Sequence, residues 1–268
     1  MPLLKRWSRK RIRNRAFPAE WLPVLEKNAP FYSLLPEGDR EELRRHILVF
    51  LAEKHFEGCG GLEIRDEIRL TVAAHACLLL LHRQTDYFPK VQSLVVYPST
   101  YVAPRVERDP DGLVHEGEEV REGESWDRGT VVLSWEDVRK SSMRAGSGRN
   151  VVLHEFAHQL DQESGEADGA PLLPRPMYAE WSRVLGREFR RLERDVQRNR
   201  RTFIDPYGAT DPAEFFAVTT ECFFERPVEL RQRHPELYEQ LSRYYQQDPA
   251  ELAQSAIPEE SGDSSDGI

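Results

Sequence analysis

Cysteine is scarce in this chain, and long apolar runs are missing. The 268 residues include three cysteines, Cys59, Cys77 and Cys222. They are odd in number and far apart, with no CxxC pair, which excludes a disulfide framework. Cys77 sits in an apolar run and Cys222 in a Phe-rich segment, so both read as small core residues. Reduced cysteines suit a cytosolic protein. The longest apolar stretch, Val72 to Leu81, contains His75 and falls well short of the roughly 20 residues that cross a bilayer. The basic stretch Lys5 to Arg15 is followed by Phe17-Pro18-Ala19-Glu20 rather than by an apolar segment, so it does not read as a secretion signal. An excess of positive charge is missing too. The formal net charge is -9, which argues against direct nucleic-acid binding. The expectation is a cytoplasmic protein with no membrane segment.

What is present suits one folded unit. Hydrophobic residues make up 39% and charged residues 31%, enough at this length to bury a substantial core. Residues 1–16 read as a basic flexible arm, because residues 1–15 carry seven Lys or Arg and no acid. Such an arm could meet RNA or anionic lipid, but the simpler reading is a frayed, solvated terminus. Residues 17–247 read as a single domain. Residues 248–268 combine Pro249, Pro258 and five acids after Asp248, a composition that reads as an acidic disordered tail.

Apolar periodicity predicts helices over Asp39–Phe56 (with Asp39 as cap), Arg65–Arg83, Asn150–Gln162, Met177–Arg198, Asp211–Glu225 and Pro235–Gln246. Ser93–Tyr97 and Thr130–Trp135 read as strands. Gly58-Cys59-Gly60-Gly61 breaks the chain, and 107–129, rich in acids and glycine, reads as a hairpin or loop region. The expected fold class is α+β: mostly helical, with a small mixed sheet packed on the helix of residues 150–162.

That helix carries His154-Glu155-Phe156-Ala157-His158. Histidines at i and i+4 lie one turn apart on one helix face, where two imidazoles can bind one zinc. Glu155 lies about 100° round the helix, close enough to act on a water beside the metal without ligating it. This is the physical content of the HExxH pattern. The flanking Val151, Val152, Leu153, Phe156, Ala157 and Leu160 are apolar, as a buried metal-bearing helix requires. A catalytic zinc takes three protein ligands, and Gln159 to Gly169 contains no histidine. The third ligand is therefore expected to be a carboxylate. Glu214, in the first turn of an otherwise apolar helix, is one candidate, and its alternative role is to stabilise that helix N-terminus. Glu221, two turns further on the same face, is the rival ligand or a partner of a ligand. Tyr207, on the loop entering the helix, could hydrogen-bond a developing oxyanion, although a loop tyrosine by itself is more often a packing residue. The other histidines, 46, 55, 75, 82, 115 and 234, have no partner at metal spacing or read as core and rim residues.

Several longer stretches are familiar. They are His154-Glu-Phe-Ala-His-Gln-Leu-Asp161, Ile204-Asp-Pro-Tyr-Gly-Ala209, Asp211-Pro-Ala-Glu-Phe-Phe-Ala-Val218 and Tyr244-Tyr-Gln-Gln-Asp-Pro249. Leu94-Val-Val-Tyr-Pro98, Gly112-Leu-Val-His115 and Val131-Val-Leu-Ser-Trp135 join them upstream. From about residue 17 to 250 the chain resembles the Mlc titration factor A family. The resemblance implies a zincin-like fold and a zinc-dependent, aminopeptidase-like enzyme, with a catalytic core similar to that of anthrax lethal factor. It implies one Zn2+ held by His154, His158 and Glu214, with Glu155 as general base and Tyr207 as the oxyanion-stabilising hydroxyl. The partners it implies are a peptide or protein substrate and, as in some family members, the sugar-responsive transcriptional repressor Mlc. Thermolysin-like enzymes carry an Asp four residues after the third ligand. Val218 stands there in this chain, so the surrounding support is expected from Asp161 or Glu221. The rival function is a regulator that holds a repressor by its surface around a structural or vestigial zinc; the intact Glu155 speaks against it.

Overall fold

A computed structural model describes residues 3–84, 86–99, 101–108, 114–121, 123–126, 129–144 and 146–255, with side chains described from residue 5 onward and outside 101–128. In chain order the elements are α1 (Leu3–Arg13), α2 (Leu22–Asn28), α3 (Phe31–Leu34), α4 (Glu37–Glu53), β1 (His55–Gly58), α5 (Asp66–Leu78), β2 (Ser93–Tyr97), β3 (Tyr101–Arg108), β4 (Val114–Arg121), β5 (Gly123–Trp126), β6 (Thr130–Ser134), α6 (Trp135–Met143), α7 (Val151–Gln162), α8 (Tyr178–Gln197), α9 (Pro212–Glu225), α10 (Pro227–Arg233), α11 (Pro235–Tyr245) and α12 (Pro249–Ser255).

Helices dominate around one four-stranded mixed sheet, ordered β1-β2-β6-β5. The first three strands run parallel, with Leu94 opposite Val131 and Val96 opposite Leu133. β5 closes the edge antiparallel to β6. Leu94, Val96, Val131 and Leu133 are fully buried, as strands covered on both faces should be. α5 is buried from Leu70 to its end at Leu78, and Leu79 to Leu81 beyond it are buried too, the signature of a core segment. α7 turns Phe156 into this core, where its ring lies 5.6 Å from Phe50 and 4.6 Å from Phe88. Burying a phenylalanine is worth about 1.5–3 kcal/mol. One face of α7 is thereby fixed to the core, and the opposite face is left for chemistry.

Five expectations are corrected. The arm of residues 1–16 is not a flexible strand of solvated charge: residues 3–13 form α1. Its Arg9 is buried, forks onto both oxygens of Glu53 at 2.5 and 2.6 Å, reaches Asp86 Oδ1 at 2.5 Å and covers the Tyr87 ring. A bidentate guanidinium–carboxylate pair offsets the cost of burying the charge. Asp39 does not cap α4, which starts at Glu37 after Pro36; it receives His82 Nε2 at 2.9 Å instead. Phe56 leaves the predicted helix for β1, where backbone pairing with β2 takes over. Trp135 opens α6 rather than ending β6, because Ser134 Oγ caps that helix by accepting from Asp137 N at 3.2 Å. The acidic tail begins later than residue 248: 249–255 form α12, with Ala250 buried. The remainder, 256–268, lies outside the described residues. Of the 107–129 stretch, β3 and β4 pair antiparallel as a ribbon, while 109–113, including Gly112 and Leu113, lie outside the described residues.

Candidate metal centre

The chemistry-bearing face of α7 packs on α9. Each helix starts with a side-chain cap that its sequence supplies. Asn150 accepts from Leu153 N at 3.2 Å, and Asp211 from Glu214 N at 2.9 Å, satisfying donors that every helix N-terminus leaves open. Pro212 follows at the first position of α9, where its missing N–H costs nothing. The two helices are then cross-linked by carboxylates. Glu221 Oε2 accepts from Asn150 N, and Glu225 Oε1 accepts from the Asn150 side chain at 3.0 Å. The other oxygen of Glu225 holds Gly146 N at 2.9 Å.

Three side chains converge at the centre of this interface. His154 Nε2 and His158 Nε2 are 3.2 Å apart. Glu214 Oε2 stands 3.1 Å from the first and 3.5 Å from the second. One ligand atom from each lies within 4.8 Å of the others. Glu214 Oε2 is buried yet lacks a hydrogen bond of good geometry. Buried carboxylate oxygens are rarely left in that state. Two imidazole nitrogens and an orphaned carboxylate oxygen aimed at one point fit a divalent cation with nitrogen and oxygen ligands, as zinc accepts. These residues could hold such an ion.

The orientation of His154 is fixed from behind. Its Nδ1 lies 2.7 Å from Glu221 Oε1, so Nδ1 holds a proton and Nε2 is the nitrogen left to face the cluster and to ligate a cation there. Glu221 therefore stands behind the first histidine rather than in the cluster. Burial works against charge on His154, but Glu214 and Glu221 outweigh it and raise its pKa well above the usual value. Burial would likewise raise the Glu214 pKa, yet the two histidines hold it far below the carboxylate range. Both shifts say that this pocket wants positive charge. Glu155, next to His154 on α7, is buried, and burial raises its pKa above the ordinary glutamate value against the pull of both histidines.

Tyr207 sits on a single 3-10 turn, Pro206–Ala209, between α8 and α9. Asp205 Oδ1 caps the turn by accepting from Tyr207 N at 3.0 Å, while Arg149 Nε binds Asp205 Oδ2 at 2.8 Å. The Tyr207 hydroxyl lies 3.4 Å from Glu214 Oε1 and its ring is 55% exposed, so a polar group stands at the mouth of the cluster. Val218 now has an evident role. A Cβ on Gly208 would come within 3.3 Å of Val218 Cβ, so the valine seats the turn that carries Tyr207. Asp161, expected near the helix end, is fully buried and accepts from Gly169 N at 2.8 Å. Gly169 has φ +77, and a Cβ there would meet Pro212 O at 2.4 Å. The loop after α7 is thus clamped under the start of α9, two residues before Glu214.

A sequence profile described as glucose-regulated metallo-peptidase M90 matches residues 4–246. The chain belongs to that family. An uncharacterized protein from Synechocystis is 41% identical over 91% of this chain and 89% of its own length. The protein named Mlc titration factor A from Serratia proteamaculans is 35% identical over 91% of this chain and 93% of its own. The one from Klebsiella pneumoniae strain 342 is 34% identical over 82% and 83%. As an M90 family member, the chain brings together all five residues singled out by motif: His154, His158 and Glu214 in the cluster, Glu155 beside it and Tyr207 at its mouth. Sequence reasoning missed Asn150, Glu225 and Gly169. An Asn directly before an apolar run is a cap signal and could have found the first; the other two act through contacts remote in sequence.

Proposed function

We propose that this protein is a zinc-dependent peptidase with a zincin-like fold, holding one Zn2+ through His154, His158 and Glu214. The observation that carries the reading is the convergence of two imidazole Nε2 atoms and the buried Glu214 Oε2, with a buried glutamate at the adjoining position of α7. When bound, zinc supplies a more acidic water and a polarised carbonyl. The rest falls to the chain. Glu155 takes the proton from the attacking water and hands it to the leaving amine. The Tyr207 hydroxyl donates to the oxygen that gains negative charge. Glu221 keeps His154 in the tautomer that faces the metal. The aminopeptidase-like activity implied by the resemblance to the Mlc titration factor A family favours trimming of peptide N-termini. No helix among the described residues is long and apolar enough to cross a membrane, and with three free cysteines the favoured setting is the cytoplasm.

Glu155→Gln tests the assignment. Zinc stays near one per chain by elemental analysis, while peptide turnover falls about 10²–10⁴-fold, the range of one general acid–base group. Unchanged turnover would sink the mechanism. A second reading rests on the name Mlc titration factor A carried by relatives: a surface of this domain binds a transcriptional repressor. Glu155→Gln separates the two activities, since repressor binding survives it and peptide cleavage does not.

A further inference from the structure

A second pocket is lined by α8, by residues 201–204 leading into the Tyr207 turn, and by Arg233 and His234 at the junction of α10 and α11. Its cavity measures about 270 Å³ and includes Arg191, Arg201 and Arg233 among its walls. Two carboxylates also line it, Glu188 and Asp195, but both are already engaged. Glu188 holds His234 Nδ1 at 2.8 Å and Arg187 at 3.0 Å, with Arg191 at 3.5 Å. Asp195 holds Arg200 at 3.1 Å. Arg201 and Arg233 have no carboxylate partner among the described residues; Arg233 lies 5.2 Å over the Phe203 ring instead. Thr202, also in the wall, has a buried hydroxyl with no hydrogen-bond partner. The surplus positive charge stands out in a chain of net charge -9.

A concave site with two guanidiniums free of carboxylate partners among the described residues, Arg201 and Arg233, concentrates field lines and favours oxyanions. Planar guanidinium donors match the oxygens of phosphate bidentately, as they do those of a carboxylate, and two of them together suit the doubly charged phosphate group. The cavity is below the usual range for drug-sized ligands, about 300–1,000 Å³, so the ligand is small. We propose that Arg201 and Arg233, with Thr202, form a binding site for a small phosphate or phosphomonoester, separate from the metal centre.

The test is calorimetric titration of the full chain with inorganic phosphate, glycerol 3-phosphate and glycerol. It is run on wild type, on His158→Ala, which removes phosphate binding through a metal, and on Arg201→Ala/Arg233→Ala. Saturable binding of phosphate or glycerol 3-phosphate is expected in wild type and His158→Ala, weakened at least tenfold in the double alanine variant. Glycerol should not bind. A tighter fit for glycerol 3-phosphate than for phosphate assigns the site to an ester, and the reverse to the free ion. Arg201→Lys/Arg233→Lys, which keeps the charge and the fold, should recover part of the affinity. No binding in wild type overturns the proposal. So does binding that persists in the double alanine variant, or that is lost in His158→Ala alone.

Discussion

Among the described residues, two clusters bring a histidine and two further ligand groups within 4.8 Å of one another: His154, His158 and Glu214, and Asp39, Glu42 and His82. By distance they are equals, but their hydrogen bonding differs. His82 sends Nδ1 to Gln246 O at 2.8 Å and Nε2 to Asp39 Oδ1 at 2.9 Å. A carbonyl and a carboxylate both accept, so both ring nitrogens carry protons and no lone pair is left. Glu42 is also spoken for, by His82 N and by His46. In the first cluster Glu221 takes the Nδ1 proton of His154, and the Nε2 atoms of two imidazoles converge on one buried Glu214 oxygen. The second cluster brings a single imidazole, and its groups are also held by the Gln246 carbonyl, the His82 N–H and His46. The second cluster is a charged clasp that ties α4 to the end of α11.

The comparison breaks most visibly with alanine. His158→Ala should strip the metal, from about one zinc per chain to near none, because it leaves two of three protein ligands. His82→Ala should leave zinc content unchanged. Elemental analysis of both variants, purified side by side, decides it; zinc lost from His82→Ala, or kept by His158→Ala, would reverse the roles of the clusters.

A milder change sharpens the same contrast. Glu221→Gln keeps the shape of the side chain behind His154 but removes its charge. Partners in this position typically contribute 10–100-fold to metal affinity, so competition against a chelator should show a loss in that range with the zinc-to-chain ratio still near one at saturation. An unaltered affinity would mean that Glu221 serves only to hold Asn150 N.

The backbone offers a third point of attack. Gly169→Ala adds a side chain at φ +77 and drives it into Pro212 O. Strained positive-φ residues cost roughly 1–3 kcal/mol, or about 2–4 °C of Tm per kcal/mol in a chain of this size. Displacing Pro212 also displaces Glu214, so zinc affinity should fall together with Tm. A drop in Tm alone would show that the start of α9 does not feel the loop.

How much of this was legible in sequence follows from where each signal resides. The i, i+4 histidines and the Asp-Pro-Ala-Glu start of α9 are local, and helix geometry alone carries them into the site. Gly60 and Gly61, both at positive φ, announce the break after β1 by themselves. By contrast β1 has four residues, His-Phe-Glu-Gly, whose strand character comes from pairing with Ser93–Val96. α1 is long in charge, and its docking depends on Glu53 and Asp86, 44 and 77 residues from Arg9. No local pattern encodes a partner at that separation. The His82 clasp was hidden for the same reason, since Gln246 is 164 residues away.

That clasp yields the smallest effect and the one that most directly tests the contrast. Burial lowers the His82 pKa, but the hydrogen bonds to Asp39 and Gln246 O outweigh it and raise the value above the ordinary 6.5. A group whose folded pKa is raised stabilises the fold fully below its unfolded pKa, and the contribution fades as pH climbs through the folded pKa. His82 is about one-third exposed, so solvent screening limits the contribution to well under about 1 kcal/mol. His82 also holds a left-handed backbone, φ 61, which His82→Asn tolerates because asparagine adopts that region readily. The stability difference between wild type and His82→Asn, measured by urea unfolding, should therefore be larger at pH 5.5 than at pH 8.5. A difference that grows toward pH 8.5 would mean that His82 is neutral in the fold, with one nitrogen free after all, and the line drawn between the two clusters would have to move.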